Sequence, residues 1–511
     1  MSPTRLRIAL AQLNPTLGDV PRNADSVRLA RAAAAADGAD LLVCPELALL
    51  GAPLGDLGRD DVLLDEAAAA LDALCQETAD GGPAILLGLP LRPAPGATPC
   101  NAVALLAGGR LVGWRAKTVL SWAAGFDEPR IFAPGPVPGP IALPRDDGAP
   151  IRLGVIVGTD MESPDVAEAL AETGAEVLIV VAAAPFAPDQ FDVRQQLAVQ
   201  RVAETGLPLV LVNAWGGQDG IVFEGASFAL DADCRLVALA PMFQASLLAT
   251  GWERHEDGPL LPTAPAGRTA PWEGPAAIYR AVMLGLADQA LKGGWTDVSV
   301  RLDGSLASLL TILIAADSVG PSRVHALAMP GPSTSRADLN DAIAAARRLG
   351  IDVRTVPIAP VLDSWRELMA TLPGGGQEAS DSAQLHHAIL AAAAWQAGWM
   401  LLDISTRPDL ALGTTLPCGD LAVLGDLRQA DLKDLASWRQ AHNSLPWAID
   451  GADLLPARLL DQEDAVAEPT LAEGIRQRRA APPVVRLSTT SFGHDRRFPA
   501  AWRRSSSGSS V

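Results

Sequence analysis

Short apolar runs of β type alternate with alanine-rich helical stretches through the first half of the chain. Residues 7–12 predict a strand, and 23–36 a helix with a polar start and an alanine interior. Residues 41–44 predict a short buried strand that stops just before Pro45 and Glu46. Further strands are expected at 84–88, 102–106, 151–157, 177–181 and 209–212, with helices notably at 164–173 and 191–205. This order predicts a layered α/β sandwich with mixed strand pairing. From 253 to 274 the periodicity collapses into proline, glycine and polar residues, the mark of a linker. The pattern then restarts with a helix at 276–291 and a strand at 297–302. Helix 307–319, strand 324–329, helix 337–349 and strand 352–357 follow. Strand–helix–strand units with short connections predict a parallel, doubly wound sheet. The expected domains are therefore 1–252 and 275–504, joined by the 253–274 linker, with a disordered serine–glycine tail at 505–511.

Composition narrows the class. At 511 residues the chain is too long for one core, and 49% hydrophobic with 19% charged residues is globular and not disordered. A formal charge of −19 repels phosphate backbones, so no nucleic-acid partner is expected. The five cysteines (Cys44, Cys75, Cys100, Cys234, Cys418) are scattered, without zinc spacing or a disulfide framework, so no metal site is expected. The longest apolar run, 388–402, contains Gln396 and Gly398 and is too short to span a bilayer. Without a signal-like N-terminus either, the expectation is a soluble cytoplasmic α/β protein with no membrane partner.

Two places carry candidate chemistry. Glu46 stands just past a buried strand, at a sheet edge where α/β active sites are built, and Lys117 is one of only three lysines, with Lys292 and Lys433. Lysine's pKa can be lowered where arginine's cannot, which makes its retention suggestive. The bland alternative is a buried, mutually satisfied ion pair.

These segments together resemble the nitrilase-like glutaminase domain of bacterial glutamine-dependent NAD synthetases, over residues 6–247. The likeness rests on Pro45-Glu46-Leu47-Ala48-Leu49, Asn101-Ala102, the Lys117 segment ending Gly125-Phe126-Asp127-Glu128, Pro164-Asp165-Val166-Ala167, and Gly216-Gly217-Gln218-Asp219. The resemblance implies an α-β-β-α sandwich and a glutamate, lysine and cysteine triad in which the cysteine attacks the glutamine amide. Glu46 and Lys117 fall on the first two positions. The family's Cys-Glu-Asp turn is here Gly158-Thr159-Asp160, so the nucleophile position is vacant. Ala184-Pro185-Phe186 likewise replaces the family's serine-proline-phenylalanine.

Residues 278–503 resemble the synthetase domain of the same enzymes, through Met329-Pro330, Asp409-Leu410-Ala411-Leu412-Gly413, Gly419-Asp420-Leu421-Ala422 and Phe492-Gly493-His494-Asp495-Arg496-Arg497. That implies a Rossmann-like domain that activates a carboxylate with ATP and Mg²⁺ and lets ammonia displace AMP. The family's pyrophosphate loop, Ser-Gly-Gly-x-Asp-Ser, is here Asp303-Gly304-Ser305-Leu306-Ala307-Ser308. Gly304 and Ser308 survive, Ser305 replaces a glycine, and Asp303 sets a carboxylate against the phosphates. Asp409 falls on the metal-binding glutamate position. ATP and Mg²⁺ are thus expected as cofactors only if this loop remains competent.

Three readings follow. One is a non-catalytic, regulatory or scaffolding paralogue, assembled as the homo-oligomer that the resemblance implies or with an active synthetase. A second is a repurposed enzyme using a Glu46, Lys117, Asp160 and Glu162 pocket on another amide or nitrile-like substrate. A third is a residual glutamine- or ammonia-dependent NAD synthetase.

Overall fold

In the computed structural model the described residues are 4–122, 126–145, 148–254, 260–263, 267–331, 334–371, 378–412, 419–442, 455–460 and 484–487. Gly125, Cys418, the segment bearing Arg496 and Arg497, and the 505–511 tail lie outside them. The chain divides into two compact units, one up to Gln218 plus Phe223–Trp272, the other Asp219–Val222 plus Glu273–Asp495.

The first unit is built on two sheets. One contains β1 (Thr4–Gln12), β2 (Leu41–Val43), β3 (Ala84–Leu91), β4 (Cys100–Ala107) and β5 (Arg110–Ala116). The other contains β6 (Ile141–Leu143), β7 (Ile151–Val157), β8 (Val177–Ala182) and β9 (Leu209–Asn213). After β10 (Trp215–Gln218) and β11 (Ile221–Glu224), β12 (Phe228–Leu230) and β13 (Leu236–Leu239) complete the second sheet. β14 (Ser246–Arg254) and β15 (Leu261–Pro262) complete the first, in the order β15-β14-β1-β2-β3-β4-β5. The second sheet runs β13-β12-β9-β8-β7-β6, and both mix parallel with antiparallel pairs.

One apolar core joins the two sheets: Ile8, Leu10, Val43 and Leu105 meet Leu153, Val155, Ile179 and Val210. The strands β7 and β8 are nearly continuous valine, isoleucine and leucine, because both their faces are covered. Helices α1 (Val20–Ala36) and α2 (Asp61–Glu77) pack together, as do α3 (Pro164–Glu172) and α4 (Gln190–Thr205). Asp60 fixes the start of α2 by accepting the N–H groups of Val62 and Leu63.

The segment expected as a linker is partly strand. β14 continues to Arg254, and Leu261 and Pro262 pair with Glu253 and Trp252. Proline is tolerated there because β15 stands at the edge of the sheet among the described residues.

The second unit holds a five-stranded, wholly parallel sheet of β16 (Val298–Leu302), β17 (Val324–Ala328), β18 (Asp352–Thr355), β19 (Met400–Asp403) and β20 (Leu421–Ala422). Its order, β18-β17-β16-β19-β20, reverses direction between β16 and β19. In open α/β sheets that switch point, at the carboxyl ends of the strands, is where ligand crevices form. The helices are α5 (Gly274–Gly293), α6 (Leu306–Val319), α7 (Arg336–Arg348), α8 (Ala359–Ala370), α9 (Glu378–Ala397), α10 (Arg407–Leu412), α11 (Gln429–Ala441) and α12 (Ala457–Leu460). A cluster of Leu327, Met329, Ile358, Leu362, Leu385 and Leu401 seats α8 and α9 on β17 and β19.

Candidate active site

In the first unit, four polar side chains meet above the strand ends. Glu46 follows β2 by three residues and is 5% exposed. Its Oε1 accepts from Asn101 Nδ2 at 2.7 Å and Lys117 Nζ at 2.8 Å, and its Oε2 from the Ala183 N–H at 3.1 Å. Lys117 follows directly on β5 and is equally sealed. Its ammonium reaches a second carboxylate, Glu128 Oε2, at 2.9 Å. Asn101, on β4, donates to Glu128 as well, at 2.7 Å. Burial by itself would lower the Lys117 pKa, but Glu46 and Glu128 outweigh it and hold the ammonium above its ordinary range.

Asp160 ties this cluster to the loop after Lys117. It is buried and accepts the N–H groups of Thr118 at 2.9 Å and Val119 at 2.6 Å. Burial pushes its carboxyl up to about 6, against those hydrogen bonds, which pull it down. Glu162, expected in the same pocket, is instead exposed, because the 3₁₀ turn Gly158–Glu162 carries it out to the surface.

Gly158 opens that turn, straight after β7, with φ +51°. A β-carbon built on it would stand 2.5 and 2.8 Å from the two oxygens of Glu46 and 2.8 Å from Lys117 Nζ. Position 158 therefore faces Glu46 and Lys117, and it has no side chain to offer them. Thr159 is no substitute: its hydroxyl is donated to the Val119 carbonyl at 2.7 Å. Cys44, close to Glu46 in sequence, is fully buried, and burial pushes its thiol up to about 12. A thiol held so firmly protonated is no nucleophile.

Sequence reasoning singled out Glu46, Lys117 and Gly158, and the structure brings all three together. It did not single out Glu128 or Asn101 as site residues. The available signal for Asn101 was an amide inside an otherwise apolar strand, β4.

In the second unit, residues 303–308 run from the end of β16 into the first turn of α6, at the switch point. Gly304 has φ +89°, and a β-carbon there would lie 2.7 Å from the Leu339 nitrogen of α7, so only glycine fits. Ser305 is the N-cap of α6 and accepts the Ser308 N–H at 3.1 Å. Buried Ser308 donates its hydroxyl to the Ser305 carbonyl at 3.0 Å and accepts the Asp303 N–H at 3.4 Å. Asp303 folds back onto the loop: Oδ1 accepts the Ser305 N–H at 3.0 Å and its hydroxyl at 2.7 Å, while Oδ2 pairs with Arg301 at 2.9 Å. Asp409 lies beyond β19, the strand next to β16. Its Oδ2 accepts the N–H of Thr406 at 2.9 Å and its hydroxyl at 2.6 Å, capping α10. Among the described residues no three metal-binding side chains gather, and no helix is long and apolar enough to cross a membrane.

Comparison with known proteins covers both units. Residues 7–251 match the carbon-nitrogen hydrolase family and residues 278–464 the NAD synthase family. The glutamine-dependent NAD(+) synthetase of Rhodobacter capsulatus is 36% identical over 90% of this chain and 83% of its own length. That of Synechocystis sp. is 27% identical over 84% and 80%. Among solved structures, the glutamine-dependent NAD+ synthetase of Acinetobacter baumannii in complex with adenosine diphosphate shares the fold, with a TM-score of 0.82 over 98% of this chain and 99% of that one at 22% identity. A matching fold, and an identity of this size spread over both halves in the same order, establish that the chain belongs to the glutamine-dependent NAD(+) synthetase family.

Proposed function

We propose that this chain is a catalytically silent member of its family. In this reading it neither hydrolyses glutamine nor activates a carboxylate with ATP. It acts in the cytoplasm through assembly, as a homo-oligomer or with an intact synthetase. The observation that carries the reading is Gly158. The position aimed at Glu46 and Lys117 has no atom that can attack an amide carbon, and the Glu46 carboxylate lies against the space where a side chain would begin. Glutamine hydrolysis by the family's chemistry needs a covalent thioester, and no described thiol or free hydroxyl stands in the turn to form one. The retained Glu46 and Lys117 are accounted for as parts of a sealed ion cluster that holds β4, β5 and the turn after β2 together.

The likeness to the Rhodobacter capsulatus protein, named a glutamine-dependent NAD(+) synthetase, favours a second reading. In it the second unit alone makes NAD from free ammonia. The carboxylate of Asp303 at the pyrophosphate loop argues against it.

The test is to incubate the purified full-length chain with ATP, Mg²⁺, nicotinic acid adenine dinucleotide and either glutamine or ammonium. Mass spectrometry then quantifies NAD, AMP and glutamate. Silence in every channel is the expected result. NAD from ammonium establishes the second reading, and glutamate release overturns the argument from Gly158. Light scattering, and co-purification with an intact family member, test the assembly.

A further inference from the structure

We propose that Asp303 is a built-in anion: its carboxylate occupies donors that the loop at 303–308 would otherwise turn toward a phosphate, so the second unit excludes polyphosphates. The inference rests on the proposed correspondence between this loop and the family's pyrophosphate loop, and it says how that site came to be closed.

A strand running through a tight turn into a helix N-terminus binds phosphate by presenting backbone N–H groups, small hydroxyls and a nearby cation. In this chain those groups already have an acceptor. The Ser305 N–H and the Ser305 hydroxyl both point at Asp303 Oδ1, at 3.0 and 2.7 Å. The guanidinium of Arg301, a cation near the end of β16, pairs with Asp303 Oδ2 at 2.9 Å. The Ser308 N–H and the Asp303 N–H are taken up within the loop by the hydroxyls of Ser305 and Ser308.

A carboxylate that accepts a backbone N–H, a hydroxyl and a guanidinium is bound much as a phosphate oxygen would be. Burial raises the Asp303 carboxyl, but Arg301 and the Ser305 hydrogen bonds more than offset it and hold it below its ordinary range. The plug therefore stays charged at neutral pH. An incoming phosphate would have to displace it and would meet its repulsion while doing so. Gly304 adds rigidity, since the loop backbone is pressed against the first turn of α7 and cannot open on that side.

The neighbouring residues fit the same account. Ser305 supplies the hydroxyl that anchors Asp303, and the alanine at 307 adds no second acid to the loop. Internal pairing takes up these donors within a few residues.

The test uses the full-length chain and calorimetric titration with inorganic pyrophosphate, and with ATP, each in the presence of Mg²⁺. Two variants are compared with the parent. Asp303→Ser removes both the charge and the reach of the plug. Asp303→Asn keeps an acceptor for the Ser305 N–H and removes only the charge. Pyrophosphate should bind Asp303→Ser at least about tenfold more tightly than the parent, with a smaller gain in Asp303→Asn. Circular dichroism confirms that each variant is folded, and Asp303→Asn decides the matter if Asp303→Ser is not. The inference is overturned if the parent binds pyrophosphate as tightly as the folded variant, or if neither folded variant gains. Those outcomes leave the silent reading intact, whereas NAD formation by the parent removes that reading.

Discussion

Replacing Lys117 by methionine separates a structural lysine from a catalytic one. The side chain is buried between two carboxylates, Glu46 at 2.8 Å and Glu128 at 2.9 Å, each 6% exposed or less. Methionine fills similar volume but leaves both acids in the interior with the Asn101 amide as their shared donor. Two carboxylates roughly 5 Å apart at an effective dielectric near 20 repel by about 3 kcal/mol. Stranding buried charges by removing one partner commonly costs about 3–5 kcal/mol, and the loss expected here is of that size. Guanidinium unfolding followed by far-UV circular dichroism gives the shift. The triple variant Lys117→Met, Glu46→Gln, Glu128→Gln should recover most of it, because no charge is then left unpaired. A Lys117→Met protein within about 1 kcal/mol of the parent would refute the reasoning, since it would mean that water reaches the cluster.

Three further outcomes are expected. Gly158→Ala should be destabilised by roughly 2–4 kcal/mol in the same unfolding assay, from a β-carbon at φ +51° that presses on Glu46 and Lys117. Gly158→Cys should release no glutamate from glutamine above the parent's background, because the Glu46 carboxylate lies against the space that the new side chain enters. Burial holds the Asp160 carboxyl at about 6 in the folded protein, above the ordinary aspartate range. Its contribution to stability is therefore present below about pH 4 and lost as pH rises through 6. Asp160→Asn should flatten the stability profile over that window by up to about 3 kcal/mol, and an unchanged slope between pH 4 and 6 would show that the carboxyl is not held as described.

Much of the architecture was legible in the chain, because burial on two faces writes itself as unbroken apolar runs and burial on one face as periodicity. The predicted strand at 151–157 coincides with β7, and the predicted helices at 164–173 and 307–319 lie within a residue of α3 and α6. The vacancy at 158 was legible for a simpler reason: glycine lacks a side chain in any fold. The edge strand β15 was not, because two residues ending in proline carry no periodicity.

Sequence alone thus determined many of the elements, their order along the chain, and the lack of a side chain at position 158. Tertiary structure decided who pairs with whom. Glu46, Asn101, Lys117 and Glu128 come from separate places in the chain, and only the folding of one sheet carrying β2, β4 and β5, with the turn at Glu128 laid against it, brings these side chains into one dry cluster. It likewise turned Asp303 back onto its own loop: a carboxylate's reach depends on the turn that carries it, and Gly304 pressed against α7 set that turn. Hydrogen bonds and ion pairs depend on distance in space, which periodicity along a chain does not encode.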